Sequence, residues 1–228
     1  MERSLALLGD IHGNIPFLSE LTQKLEGSVE AVVQVGDFGI SPTEVDVWKK
    51  EKWSFKVPVY FIKGNHEFFD VFDHLKVVTE ILPNCFYVPQ GAVLELAGKR
   101  MAFLGGAKSI DAAYNAYWDE REAILPTDVL TLYDNVFKEI RPIDILVTHV
   151  PPHSVIKANF NDRGKLAFGV GLDWEDPNGK VVEEVWKKLG RPMMICGHMH
   201  KAVQFDNNSR ILDINELFIY PSLYSTEK

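Results

Sequence analysis

Five short apolar runs in this sequence each end in residues that bind metal ions. "LALLGDIHGN" ends in Asp10 and His12, "AVVQVGDFG" in Asp37, "VYFIKGNHE" in Asn65 and His66, "DILVTHV" in His149, and "MMICGHMH" in His198 and His200. Five of the seven histidines of the chain fall at these points. Imidazoles and carboxylates without thiolates suit borderline divalent ions, manganese first and iron, zinc, nickel or cobalt as alternatives; they disfavour calcium, or a magnesium ion that keeps most of its water. Asp10, His12, Asp37, Asn65, His149, His198 and His200 are more ligands than one ion takes, and two ions sharing a carboxylate accommodate them all. Two divalent ions outweigh the charge of Asp10 and Asp37, so the centre attracts a phosphate ester even within an acidic protein. Ions about 3.5–4 Å apart also acidify a shared water and clamp both oxygens of an in-line displacement. The chemistry expected is metal-assisted phosphoester hydrolysis.

Such residues must be brought together by regular elements, and the pattern supplies them. Apolar runs of strand length alternate with amphipathic stretches: "IPFLSELTQKLE", "PTEVDVWKKEKW", "PTDVLTLYDNVFKEI" and "KVVEEVWKKLG" carry apolar residues at helical spacing. Hairpins are expected in "AVLELAGKRMAFL", turning at residues 97–99, and in "AVQFDNNSRILDI", turning around Asn207 and Asn208. Strands buried on both faces together with hairpins predict a layered α/β domain with two mixed sheets. In such sheets ligands collect beyond the carboxyl ends of the strands, so five ends can converge on one point. Gly9, Gly36, Gly64 and Gly197 each precede the polar residues, where the lack of a Cβ permits a sharp turn and close approach.

The 228 residues suit a single domain, expected over 1–228, without repeats or low-complexity tracts. A net charge of -8 disfavours an extended nucleic-acid or anionic-membrane surface, both of which need a cationic footprint. No apolar run is long enough to span a bilayer, and two cysteines make no disulfide framework, which points to the reducing cytoplasm. Cys196 reads as a small buried apolar residue.

The ordered series "GDIHGN", "GDFG", "GNHE", "THVPP" and "GHMH", from residue 9 to residue 200, resembles the calcineurin-like metallophosphoesterase family, in its "GHMH" ending the phosphodiesterase-type members and in residues 104–122 the small microbial members. The resemblance implies a four-layer α/β/β/α sandwich. It implies one metal held by Asp10, His12, Asp37 and His200, and another held by Asn65, His149 and His198, with Asp37 bridging both. It makes His66 the non-ligand catalytic histidine, protonating the leaving oxygen or stabilising the transition state, and it implies attack by a metal-bridging hydroxide without a covalent phosphoenzyme. Glu67, which completes "GNHE", is either a partner of the site or a strand-end charge.

The sequence departs from the Ser/Thr protein phosphatases of this superfamily: "GDFGISPTE" lacks their Asp-Arg-Gly extension and "THVPPH" lacks their His-Gly-Gly. A small phosphoester, a nucleotide among the candidates, is the expected substrate. Alternatives are a dinucleoside polyphosphate hydrolase, a phosphoprotein phosphatase and a metal-bound scaffold without activity. Substrate choice is expected from two stretches: residues 104–122, with Lys108, Asp111, Tyr114, Tyr117, Trp118 and Arg121, and residues 153–171, read as a long loop with His153, Lys157, Arg163 and Lys165. The tail "ELFIYPSLYSTEK" is apolar enough to cover the domain or to pair with a second chain.

Overall fold

Apolar residues at alternate positions of a strand face opposite sides of a sheet, and here they feed three separate cores. In β1 (Ser4–Leu8), Leu5 and Leu7 pack on one side and Ala6 and Leu8 on the other. The same division splits β2 (Val29–Gln34), whose Ala31 and Val33 join Leu5 and Leu7. In the second sheet, Met101 and Phe103 of β7 (Lys99–Leu104), Ile145 and Val147 of β8 (Ile145–Thr148) and Met193 and Ile195 of β9 (Met193–Cys196) fill that same middle core. Their neighbours Ala102, Leu104, Leu146, Met194 and Cys196 face outward into a third core. Three cores between four layers make the α/β/β/α sandwich.

A computed structural model describes residues 4–40, 47, 50, 51, 53–110, 119–160, 163–167 and 170–220 of the chain. The remaining strands are β3 (Val59–Phe61), β4 (Thr79–Leu82), β5 (Cys85–Tyr87), β6 (Val93–Leu96), β10 (Val203–Gln204), β11 (Arg210–Ile211) and β12 (Leu217–Tyr220). One six-stranded sheet runs β12-β1-β2-β3-β5-β4 and the other β10-β11-β9-β8-β7-β6. Both are mixed: β1, β2, β3 and β5 are parallel with antiparallel strands at the edges, as are β7, β8, β9 and β11. Both hairpins form as the sequence implies. Leu96 pairs with Lys99 around Ala97 and Gly98, both at positive φ, and β10 returns to β11 through Asn207 and Asn208, also at positive φ. The twist of paired strands requires such turns.

The helices start where the sequence supplies caps. Asn14 accepts the N–H of Phe17 at the head of α1 (Ile15–Lys24). Pro126 opens α2 (Pro126–Val136), where Asp128 reaches back to the N–H of Leu125. Two short helices follow, α3 (His153–Asn159) and α4 (Arg163–Ala167), then α5 (Pro177–Lys188), capped by Asp176 and ended at Gly190 with φ +82. Val182, Val185 and Trp186 of α5 line its buried face.

Three expectations need revision or completion. The stretch 153–171 is not a structureless loop, because α3 and α4 occupy it, and α3 packs on α5. Two edge strands, β4 and β12, go beyond the runs read as strands; β12 settles part of the tail, pairing antiparallel with β1. The helix read in 42–53 falls largely outside the described residues, as do Asp111, Tyr114, Tyr117 and Trp118 and residues 221–228. Among the described residues no helix is long and apolar enough to cross a membrane.

Candidate metal centre

Because β1, β2, β3, β8 and β9 run parallel within their sheets, the residues that follow them emerge on one side of the sandwich. The two sheets are joined there by direct bonds. Nδ1 of His149, after β8, lies 2.9 Å from the carbonyl oxygen of Val35, after β2. The backbone N–H of His198, after β9, donates to Oδ2 of Asp10, after β1, at 3.0 Å.

All seven predicted ligands gather in two adjoining sets. In the first, the nearest ligand atoms of Asp10, His12, Asp37 and His200 all lie within 4.8 Å of one another and could hold a metal ion. Nε2 of His12 and Nε2 of His200 are 3.0 Å apart, and Nε2 of His200 is 3.3 Å from Oδ2 of Asp10. In the second set, Oδ1 of Asn65 lies 3.1 Å from Nε2 of His149 and 3.0 Å from Nδ1 of His198. Oδ1 of Asp37 is 3.3 Å from Nε2 of His149, and Oδ2 of Asp37 lies 4.0 Å from Nδ1 of His12, so this carboxylate stands between the sets. His66 is exposed at the rim; its backbone N–H donates to Oδ1 of Asp37, and its ring centroid is 5.8 Å from that of His12.

The donor chemistry of these sets fits divalent ions. The Val35 carbonyl only accepts, so Nδ1 of His149 carries a hydrogen and Nε2 of the neutral ring turns a lone pair toward two oxygens. Such a meeting of lone pairs calls for a proton or a metal ion. Among the described residues, Oδ2 of Asp37 is buried without a hydrogen-bond partner, an unusual state for a carboxylate that an ion would resolve.

The backbone of the cluster is strained as well. His12, Asp37, His198 and His200 adopt positive φ of 44°, 52°, 69° and 47°. Such conformations cost non-glycine residues roughly 1–3 kcal/mol each and concentrate at functional sites. A Cβ at Gly64 would collide with Oδ1 of Asp37, and one at Gly197 with Oδ1 of Asp10.

Charge follows from burial and pairing. Burial disfavours the charged form of His149, yet the carboxylates of Asp37 and Asp10 hold its pKa up at about 9. Burial acts against the charge of Asp37 too, but His149 and then His66 keep it far below the usual carboxylate range. Burial, reinforced by the charge of His149, pushes His198 down to about 3. Burial also lowers His12 against the pull of Asp37 and Asp10, whereas the hydrogen bond to Asp10 raises His200.

The role of Glu67 becomes plain. Its carboxylate accepts the backbone N–H groups of Phe38, Gly39, Ile40 and Gly64, which pins the Asp37 loop to the Asn65 loop. Burial and the neighbouring Asp37 push its pKa up to about 8. Three other contributors escaped sequence reasoning. Ser109 accepts from Nδ2 of Asn65 at 3.0 Å, Glu122 engages Ser109, and Oδ2 of Asp176 lies 3.9 Å from Nε2 of His198. "EDPNG" does carry the signature of a helix N-cap at Asp176, but nothing in the sequence ties that residue to His198. Two candidate phosphate contacts are otherwise engaged: Arg121 pairs with Asp119 and Asp70, and Lys165 donates to the carbonyl of Leu172. His153 faces Glu175 at 3.5 Å. Cys196 is fully buried in the third core, as expected.

Stacked mixed sheets with an Asp/His cluster at their carboxyl ends are the frame of a metallohydrolase. The sequence pattern of the family described as calcineurin-like phosphoesterase matches residues 3–202, and the chain belongs to that family, hydrolases acting on phosphoesters. Among solved structures it is similar to TT1561 of Thermus thermophilus, at 12% identity over 96% of this chain and 98% of that one, with a TM-score of 0.56. It is also similar to a putative 5'-nucleotidase from Staphylococcus aureus, solved in complex with alpha-ketoglutarate, at 13% identity and a TM-score of 0.51; the match covers 92% of this chain and 48% of that one. At such identities the likeness is one of fold. A comparison with curated proteins finds no match.

Proposed function

We propose that the chain, residues 1–228 acting as one domain, is a dinuclear-metal phosphodiesterase of small phosphoesters in the cytoplasm. The observation that carries this reading is the position of Asp37, one oxygen toward His149 and the other toward His12, between the Asp10, His12 and His200 cluster and the Asn65, His149 and His198 trio. One ion belongs to Asp10, His12, Asp37 and His200, the other to Asp37, Asn65, His149 and His198, with manganese the first choice. Bound there, divalent ions supply Lewis-acid charge for the phosphate oxygens and a nucleophile at neutral pH.

The residues of the chain do the rest. The backbone N–H groups of Asn65 and His66 hold Oδ1 of Asp37 at 2.9 Å each, fixing the shared carboxylate. Hydrogen bonding to Val35 fixes the tautomer of His149. His66, outside both sets and open to solvent, gives its proton to the departing oxygen of the ester, general acid catalysis worth typically 10²–10⁴-fold.

The test is steady-state hydrolysis of bis-nitrophenyl phosphate and of the nitrophenyl monoester by the metal-stripped chain after adding back manganese, nickel, cobalt, zinc or magnesium. Diester turnover restored by manganese or nickel supports the reading. Turnover of the monoester alone makes the enzyme a phosphatase, and silence on both with metals bound contradicts hydrolysis of simple esters.

A further inference from the structure

Asn65 contributes to the centre through an amide, and an amide has two faces of opposite character. Its oxygen binds a metal ion; its nitrogen, carrying two hydrogens, repels one. What decides the face lies outside the ligand sets, on the segment after β7. Ser109 and Glu122 are both buried, at 7% and 2% exposure. Oε1 of Glu122 accepts the backbone N–H of Ser109 at 2.8 Å, and Oε2 accepts its hydroxyl at 2.6 Å, a short distance typical of a hydroxyl donating to a charged carboxylate. Ser109 has one hydroxyl hydrogen, and it is committed to Glu122. Oγ therefore meets Asn65 as an acceptor and takes a hydrogen from Nδ2 at 3.0 Å, which turns Oδ1 toward His149 and His198.

We propose that Glu122 and Ser109 are positioning residues that set the polarity of the Asn65 amide and thereby complete the Asn65, His149 and His198 metal site. The inference rests on the reading of Asn65 as a ligand. It gives the buried carboxylate of Glu122 a role outside both ligand sets.

Glu122→Gln keeps the size of the side chain but lets its amide nitrogen donate to Ser109. The hydroxyl then points at residue 65, and Asn65 turns its nitrogen toward the metal. Calorimetric titration of the metal-stripped full chain with Mn²⁺ reads the result, with thermal midpoints to confirm folding. The wild type is expected to bind two ions. In Glu122→Gln the ion held by Asp10, His12, Asp37 and His200 keeps its affinity, while the other weakens about 10–100-fold, the usual scale for partners of metal ligands. Ser109→Ala, which removes the relay without adding a donor, weakens the same ion by less.

Asn65→Asp separates polarity from general damage. Alone, it sets a carboxylate oxygen against a lone pair of Ser109 and weakens the second ion; combined with Glu122→Gln, it receives the Ser109 hydrogen and restores binding. Wild-type affinity for both ions in Glu122→Gln, or an Asn65→Asp effect that is the same in both backgrounds, overturns the relay. A wild-type chain that binds fewer than two ions overturns the dinuclear reading itself, a separate outcome.

Discussion

His12 and His200 stand 188 positions apart in the chain, and their Nε2 atoms lie 3.0 Å apart in the fold. One follows β1 of the first sheet and the other follows β9 of the second, so their meeting measures how closely the two sheets register. Each ring sits on a backbone of positive φ, a strained conformation that concentrates at functional sites, and the N–H of His12 is tied to the carbonyl of Asp37 at 2.9 Å. Around this contact the Asp37 carboxylate points one oxygen toward His149 and the other toward His12.

Asp37→Asn retains the volume of the buried side chain but halves its capacity to accept from two sides. On the dinuclear reading, both ion sites lose a ligand charge. Metal content measured after dialysis should fall from two ions per chain to one or none, with diester turnover reduced by at least about a hundredfold.

His66→Asn should leave metal content unchanged, because the ring lies outside both sets. Turnover should fall about 10²–10⁴-fold. Loss of a proton donor harms poor leaving groups most, so the deficit should be greater for an alkyl ester than for a nitrophenyl ester. An equal deficit for both would assign His66 to charge stabilisation in place of proton transfer.

Metal uptake should release protons. Without metal the pKa of His149 is held up at about 9, so at neutral pH the ring carries a proton on the nitrogen that the ion must occupy. The protonated form dominates below that value and competes with the ion, so affinity should rise as pH increases from 6 toward 9. His198, lowered to about 3, is already neutral and contributes no proton. Calorimetry in buffers of different ionisation enthalpy should count about one proton released by His149 at neutral pH, with any share from His200 added to it.

Gly197→Ala drives a methyl group into Oδ1 of Asp10. The carboxylate must shift, and with it the bond from Asp10 to the N–H of His198. Overpacking of this kind costs about 1–3 kcal/mol, and the thermal midpoint should drop accordingly. Affinity for the ion bound by Asp10 should fall as well, whereas an alanine at Gly98, on the open hairpin turn with no atom near its Cβ position, should leave metal binding intact.

Much of this was legible in the residues themselves. The unbroken apolar runs "LALL" and "ILV" reveal strands buried on both faces, and each of the five runs is followed by a glycine or threonine and then a candidate ligand, so the sequence order already names the convergence. The four-layer arrangement came through family resemblance and is visible in the division of β1 and β7 between two cores. What escaped reading lacked a local signal. β4 and β12 are short edge strands whose residues are mostly half-exposed, so neither carries a clean period. Residues 153–171 hide two brief helices because seven and five residues are too few to display a face. Ser109 and Glu122 are 13 positions apart in a stretch whose aromatic and basic residues drew attention to substrate contacts. Their relation to Asn65 exists only once the end of β7 in the second sheet is packed against the end of β3 in the first, and no spacing rule foretells it.

The most direct test of the central claim is a stepwise titration of the metal-stripped chain with Mn²⁺ while hydrolysis of bis-nitrophenyl phosphate is followed. If Asp37 joins two ions in one catalytic centre, turnover should stay near background through the first equivalent and rise with the second. Full activity at one equivalent, or two ions bound with no turnover of the diester, would contradict it.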